Sequence, residues 1–138
     1  MDGGAKPARQ WTAQQVSREI ITAAMKVHSA LGPGLLESAY EICLMHELRQ
    51  MGLGVQAQVS LPVVYNGVKL DAGYRIDLLV EELVVVELKT VDAILPVHKA
   101  QVISYLKRAE RVLVLINFNV AHLREGIKGL VHGSGWKT

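Results

Sequence analysis

The chain of 138 residues has only one cysteine, Cys43, and no long apolar run. A single thiol cannot form an internal disulfide, nor can it build a zinc or iron–sulfur site alone. Because Cys43 falls in an apolar helical stretch, we expect a buried structural thiol, in keeping with a reducing cytoplasm. No run approaches the roughly 18 apolar residues that a membrane-crossing helix needs, so no membrane partner is expected.

A strong net charge is also lacking, since 15 basic and 13 acidic residues leave a formal charge of +2. Any surface for phosphates must therefore come from local clustering of basic side chains. Residues 1–10 lack an apolar signal core and are expected to form a flexible lead-in, followed by one domain over residues 11–138. No Gly-rich loop follows a predicted strand, which disfavours a cofactor-binding α/β domain.

Capping signals and helical periodicity predict helices in three places. Thr12 and Gln15 form a capping-box pattern at the start of the first helix. Apolar residues then recur at helical spacing and predict one buried stripe: Val16, Ile20, Ala24, Val27 and Leu31. Gly32-Pro33-Gly34 ends this helix, and a second one is expected over about residues 36–51. A third helix is expected over about residues 97–109, after a proline that suits its first turn.

Apolar and alternating stretches predict strands between the second and third helices, and again after the third. Asn66-Gly67 is a strong hairpin signal, and Glu81-Glu82 marks a second turn. The predicted strands cover residues 55–65, 68–71, 74–80, 83–90 and 111–118, with a weaker element over 121–131. The order of two helices, three or four strands, a helix and a strand predicts an α/β domain with a mixed sheet.

Charged side chains occur where a buried strand is expected. Residues 83–86 are continuously apolar, as in a central strand covered on both faces, and Glu87 and Lys89 then interrupt the run. These two residues share a face, because strand side chains alternate with period two. Taken alone, the pattern fits a solvated strand end with an exposed ion pair, since burying unpaired charges costs several kcal/mol each.

Asp77 in the preceding strand changes this interpretation. A three-residue loop, Glu81 to Leu83, sets Asp77 opposite Glu87 on one face, whereas a two-residue loop pairs Asp77 with Val86. Two adjacent carboxylates repel each other unless a cation lies between them. Carboxylate oxygens suit Mg²⁺ or Mn²⁺, with waters completing the octahedron. A metal site therefore requires an odd-length loop or a bulge here, with Lys89 beside it.

Four motifs resemble those of a known family, and in chain order they are Gly34 to Tyr40, Asp77, Glu87-Leu88-Lys89 and Gln101 to Tyr105. Asp77 followed by Glu87-Leu88-Lys89 resembles the PD-(D/E)XK nuclease signature. The segment Gly34 to Tyr40, GLLESAY, resembles the motif of the GxxExxY proteins, a bacterial and archaeal family of that superfamily. Gln101 to Tyr105 resembles the QxxxY motif of RecB-like exonucleases. The resemblance runs from the first helix to the strand end at residues 116–118.

The resemblance implies a restriction-endonuclease-like αβββαβ core, with the site on one edge of a mixed sheet that is flanked by helices. Asp77 and Glu87 would be metal ligands together with the backbone carbonyl of Leu88, and Lys89 would orient the attacking water. Ile76 stands where the family signature has proline. Because two neighbouring carboxylates favour the charged form of Lys89, we expect this residue to act electrostatically rather than as a general base.

Further acids and a histidine are candidates for the same site. Glu37 falls on the apolar face of the second helix, and a carboxylate there needs a partner that the metal site would provide. Glu47 falls on this face too, so position alone does not single out Glu37, which the motif favours. His28, near the end of the first helix, is either a metal ligand, as in some RecB-like nucleases, or a hydrogen-bonded structural histidine.

The predicted third helix carries a polar stripe of His98, Gln101, Tyr105 and Arg108. A solvated helix face explains such a stripe by itself. The motif instead implies that Gln101 orients Lys89 or the scissile phosphate, and that Tyr105 packs at the site or lies beside the phosphate.

These features together predict a Mg²⁺- or Mn²⁺-dependent nuclease that hydrolyses phosphodiester bonds by metal-activated water. DNA is the favoured substrate and RNA the alternative, and the backbone would be bound by Arg75, His98, Lys99 and Arg108. A domain of this size offers a limited footprint, which favours a homodimer or a partner protein. The rival interpretation is a catalytically silent module of the same fold that binds nucleic acid or a protein partner.

Overall fold

The computed structural model describes residues 10–97, residue 100 and residues 112–131. Two helices, α1 over Ala13–Leu31 and α2 over Glu37–Gln50, precede the sheet. The strands within these residues are β1 (Val55–Tyr65), β2 (Val68–Val80), β3 (Val84–Lys89), β4 (Val112–Asn117) and β5 (Ile127–Val131). A short 3-10 helix precedes β5. The predicted third helix over residues 97–109 lies almost wholly outside the described residues.

The strands lie in the order β1-β2-β3-β4-β5, so neighbours in sequence are neighbours in the sheet. Among the described strands, only β3 and β4 run parallel, and the three other pairs are antiparallel. The predicted α/β class with a mixed sheet is confirmed. None of the described helices combines the length and the apolar character that crossing a membrane requires.

The first hairpin is present as predicted, but its second strand is longer. Asn66 and Gly67 adopt φ values of +52° and +76°, as a two-residue hairpin turn requires. The stretches 68–71 and 74–80, which the sequence separates, are one continuous strand in the structure. The interruption between them is a β-bulge, since three residues of β2, 72–74, lie opposite residue 61 of β1.

Both helices pack on one face of the sheet and form the main core with it. The buried stripe of α1 is confirmed except at Leu31, the last residue of the helix, which is 37% exposed. Tyr40, Leu44 and Leu48 are the buried residues of α2. Cys43 packs against this core but is only half-buried, so its predicted full burial is wrong.

Tyr40 fixes the connection between the two helices. Its fully buried ring stacks on Phe118, with ring centroids 4.4 Å apart and 9° between the planes. Its hydroxyl donates to the Gly32 carbonyl at 2.5 Å and accepts the Leu35 N–H at 3.2 Å. Gly34 between them has a φ of +99°, a conformation that favours glycine. This loop therefore sets where α2 begins, and with it the position of the helix's first residue.

We expect Tyr40→Phe to lower the free energy of unfolding by about 1–2 kcal/mol, because the ring packing is kept while two backbone groups lose a partner. Urea unfolding followed by circular dichroism measures this change. Tyr65→Phe is the matched control, since Tyr65 is 64% exposed on the first hairpin and should change stability by less than about 0.5 kcal/mol. Equal losses in the two variants would contradict the role of the Tyr40 hydroxyl.

Candidate active site

The turn between β2 and β3 brings two carboxylates together. It has three residues, Glu81 to Leu83, and Leu78 pairs with Val86 on either side of it. The same register, continued by one residue, sets Asp77 opposite Glu87. The odd-length loop that a metal site requires is therefore confirmed.

Beyond this turn, side chains take over the hydrogen bonds between the strands. Regular pairing of β2 with β3 ends at Leu78 and Val86. The Asp77 N–H then donates to Glu87 Oε1 at 3.0 Å, and the Leu88 N–H donates to Asp77 Oδ2 at 2.7 Å. Each carboxylate is thus held through one oxygen by a backbone amide of the other strand.

At Asp77 the side chains of β2 stop alternating regularly between the two faces of the sheet. Ile76 and Leu78 are two residues apart and would share a face in a regular strand. Instead Leu78 packs in the main core beneath the helices, while Ile76 packs with Val85 and Leu113 in a second cluster on the opposite face. Asp77 lies at this irregularity, where its carboxylate reaches a backbone amide of the neighbouring strand.

Glu87 is a buried acid with a strongly shifted pKa. Its side chain is 5% exposed, so the alternative of a solvated strand end is wrong for this residue. Burial first, and then the charge of Asp77, raise its pKa to about 8. The hydrogen bond from the Asp77 N–H and the charge of Lys89 act in the opposite direction. Near neutral pH this carboxyl group therefore keeps a proton unless a cation replaces it.

Lys89 and Glu37 lie close enough to this pair to interact with it electrostatically. Lys89 is half-buried at the end of β3, and its charge lowers the pKa of both Glu87 and Glu37. Partial burial of the carboxyl group raises the pKa of Glu37, and the charge of Asp77 raises it further. Glu37 is nevertheless an exposed residue, because it begins α2 and the helix enters the core only at Tyr40. The predicted burial of Glu37 within the apolar face is wrong, while its nearness to the acids is confirmed.

Two residues that the sequence did not single out also reach this site. Gln58 of β1 donates from Nε2 to Glu41 Oε1 at 2.8 Å and makes a longer contact with Asp77 Oδ1 at 3.4 Å. Burial raises the pKa of Glu41, the hydrogen bond from Gln58 lowers it, and the charges of Asp77 and Glu37 raise it. Glu41 follows Glu37 by one helical turn, so the sequence indicates that both lie on the same side of α2. Nothing in the sequence around Gln58 indicates its contacts with Glu41 and Asp77.

Two other candidates have structural interactions. Glu47 forms an ion pair with Lys26 of α1, with Nζ and Oε1 2.9 Å apart. His28 is buried, and its Nε2 lies 2.8 Å from the carbonyl oxygen of Val120. This hydrogen bond fits the interpretation of His28 as a structural histidine.

The predicted nucleic-acid contacts are described only in part. Arg75 is exposed on β2, two residues before Asp77. The remaining predicted site residues lie outside the described part of the chain: His98, Lys99, Gln101, Tyr105 and Arg108.

The paired acids fit a metal ion that keeps much of its water shell. Within the described residues, no three His, Cys, Asp or Glu side chains converge into a complete metal centre. Mg²⁺, however, is commonly bound through one or two carboxylates and retains several waters. Asp77 and Glu87 supply hard oxygen ligands of this kind, already fixed by backbone hydrogen bonds.

The described strands form a mixed sheet that holds two acids, Asp77 and Glu87, and Lys89 on two adjacent strands. The model of the PD-(D/E)XK nuclease superfamily matches residues 14–130, and the chain belongs to this superfamily. Its fold is accordingly the restriction-endonuclease-like α/β fold. No curated protein and no solved structure matches the chain.

Glu87 should make the metal-free protein less stable as pH rises. Its folded pKa of about 8 exceeds the ordinary value of 4.5, so between these values the folded state binds more protons than the unfolded state. The stabilisation of the folded state that comes from the proton on Glu87 is complete below pH 4.5 and is lost as pH rises through about 8. We expect a slope that approaches about 1.4 kcal/mol per pH unit within this window.

Urea unfolding in EDTA at about pH 5, 6.5 and 8 measures this slope. Glu87→Gln keeps the shape of the side chain without its titration and should flatten the dependence. Glu47→Gln serves as the control and should retain it, because Glu47 forms an ion pair with the exposed Lys26 of α1. The assignment fails when the slope of Glu87→Gln equals that of the wild type.

Proposed function

We propose that the protein is a metal-dependent nuclease that hydrolyses phosphodiester bonds of DNA, with RNA as the second substrate class. The observation that carries this proposal is the exchange of hydrogen bonds that fixes Asp77 and Glu87 next to Lys89. Membership of a superfamily of nucleases supports it. So does the segment Gly34 to Tyr40, whose sequence resembles the GxxExxY motif.

Asp77 and Glu87, together with the backbone carbonyl of Leu88, would hold Mg²⁺ or Mn²⁺. The backbone hydrogen bonds orient both carboxylates beforehand, which lowers the cost of assembling the site. When bound, the ion supplies a lowered pKa for water and positive charge against the phosphate. Since the pKa of Glu87 is raised to about 8, ion binding would displace a proton from this residue.

Lys89 would act through its charge. Its ammonium group carries three N–H donors and no lone pair with which to accept a proton. It would therefore hold the attacking water or a phosphate oxygen and stabilise the negative charge of the transition state. Glu37 is exposed beside it, and its raised pKa suits a group that takes a proton from that water. Gln101 and Tyr105 would complete the site from the predicted third helix.

The nucleic-acid backbone would be bound by basic side chains around this site. Arg75 is the exposed one nearest in sequence to the acids, and we assign the same role to His98, Lys99 and Arg108. Such contacts with phosphates position a substrate without reading its sequence. A second copy of the chain or a partner protein would extend the footprint of this small domain.

Asp77→Asn and Lys89→Ala should each reduce cleavage by at least about 100-fold. Asp77→Asn removes the negative charge of a proposed metal ligand, and Lys89→Ala removes the positive charge that would stabilise the phosphate in the transition state. Linear, single-stranded and branched DNA, and RNA, are incubated with Mg²⁺ or Mn²⁺ and analysed by gel electrophoresis. Asp71→Asn and Lys69→Ala are matched controls on the exposed part of the same strand β2, and both should cleave normally.

Cleavage that persists in Asp77→Asn would show that the site is assigned wrongly. Binding by the wild type without cleavage under either ion would favour the rival, a silent module of the same fold. The Asp77→Asn protein should still bind nucleic acid when the proposal holds, which separates a lost reaction from a lost fold.

Arg75→Ala should weaken binding about equally for nucleic acids of unrelated sequence. It should also reduce the slope of log affinity against log salt by about one, because one fewer counterion is released. The measurement is the slope of log affinity against log salt, in the Asp77→Asn background so that the substrate stays intact. Arg18→Ala, an exposed arginine of α1, provides the comparison and should leave the slope unchanged. A sequence-dependent loss at Arg75 would contradict a role in backbone binding.

A further inference from the structure

Gln58 has an unusual backbone conformation for a strand residue. Its φ is +53°, in the left-handed region that residues with a side chain rarely adopt. The other described non-glycine residues with positive φ, Asn66, Glu81 and Glu82, are all in turns. Inside a strand such a conformation persists only where surrounding interactions hold it.

This irregularity lies directly opposite Asp77. The neighbouring pairs of the ladder are Ala57 with Leu78 and Val59 with Ile76, and Gln58 and Asp77 lie between them. At the same point β2 loses its regular alternation, as the two core clusters show. Two strands are therefore distorted at facing positions, beside the candidate metal ligands.

The side-chain amide of Gln58 lies between two carboxylates. An amide nitrogen carries two hydrogens, one for each acceptor. Its acceptors are Glu41 Oε1 at 2.8 Å and, more weakly, Asp77 Oδ1 at 3.4 Å. Asp77 Oδ1 is the oxygen that Leu88 does not use, since the Leu88 N–H donates to Oδ2. Asp77 is thus contacted at both oxygens, from both of the strands that flank it.

Glu41 remains near Asp77 despite their mutual repulsion. Burial first, and more weakly the charges of Asp77 and Glu37, raise the pKa of Glu41, and the hydrogen bond from Gln58 lowers it. Without the amide, a half-buried glutamate on a helix surface would turn away from the other acids. The site would then lose one of the negative charges that attract a cation.

We propose that Gln58 is a positioning residue of the metal site, which orients Asp77 and retains Glu41 beside it as an additional negative charge. The inference rests on the proposed function, in that Asp77 is taken as a ligand of Mg²⁺ or Mn²⁺. Gln58 acts only through these two carboxylates and does not touch the reacting atoms. Its left-handed backbone occurs at the ladder position opposite Asp77.

Mn²⁺ binding tests this role, measured by calorimetry and by water-proton relaxation on the wild type, Gln58→Gly, Glu41→Gln and the double variant. Glycine adopts positive φ without strain, so Gln58→Gly removes the amide and leaves the backbone of β1 undisturbed. We expect each single change to weaken Mn²⁺ binding about ten-fold. The losses in the double variant should be less than additive, because both changes remove the hydrogen bond between Gln58 and Glu41, and only the contact of Gln58 with Asp77 contributes separately.

Gln56→Gly is the matched control on the same strand. The amide of Gln56 also donates to a glutamate, Glu82, at 2.5 Å, but this exposed pair lies at the turn between β2 and β3. The Mn²⁺ affinity of Gln56→Gly should equal that of the wild type.

Cleavage by Gln58→Gly should return to the wild-type rate at high Mn²⁺, whereas cleavage by Asp77→Asn should not recover. A merely structural defect would instead lower the free energy of unfolding of Gln58→Gly in EDTA, where no ion stabilises the folded state.

The outcomes separate this inference from the proposed function. Wild-type cleavage with unchanged Mn²⁺ affinity in Gln58→Gly overturns the role of Gln58 and leaves the nuclease intact. Weakened, non-additive Mn²⁺ binding in a protein that cleaves nothing supports Gln58 and overturns the nuclease. Additive losses in the double variant, or equal losses in Gln56→Gly, also overturn the inference. A wild type that binds no Mn²⁺ overturns both.

Discussion

Two backbone amides, those of Asp77 and Leu88, need acceptors at the point where β2 and β3 stop pairing. The side chains of Glu87 and Asp77 supply them, at 3.0 Å and 2.7 Å. A buried N–H without an acceptor is costly, so the end of this ladder depends on the two acids as much as the acids depend on the ladder. The same bonds hold two carboxylates near each other, and the resulting repulsion contributes to the raised pKa of Glu87. Strand pairing and site electrostatics therefore share one set of contacts.

Three residues of the segment from Gly34 to Tyr40 set the position of α2 relative to Asp77 and Glu87. Gly34 adopts a positive φ, Tyr40 anchors the loop with a buried hydroxyl, and Glu37 is left exposed at the start of α2. The spacing of three between Glu37 and Tyr40 puts them on one side of the helix, with only Tyr40 inside the core. In this motif two residues determine where the helix begins, and the third faces the acids of the sheet.

Local signals predicted much of this arrangement. The hairpin at Asn66-Gly67 follows from residues that tolerate positive φ, and the odd-length turn followed from requiring Asp77 and Glu87 to share a face. The sequence failed where distant pairing decides the outcome. Strand β2 continues through a bulge because β1 pairs on both sides of it, and Gln58 meets Asp77 only through that same pairing. The exposure of Glu37 was missed because a helical wheel shows the direction of a side chain but not where the core ends along the axis.

The electrostatic balance of the site favours a cation over a permanent structural partner. A buried arginine or lysine between Asp77 and Glu87 would neutralise both acids and close the site. Lys89 instead lies at the strand end, and its charge does not offset the burial and the neighbouring charge that raise the pKa of Glu87 to about 8. A pKa of about 8 corresponds to a Glu87 carboxyl group that retains its proton near neutral pH. Because metal ligands bind in their deprotonated form, a divalent ion that bound Glu87 would displace this proton. The backbone hydrogen bonds keep the two carboxyl groups in place, and the proposed metal ion would replace the proton of Glu87.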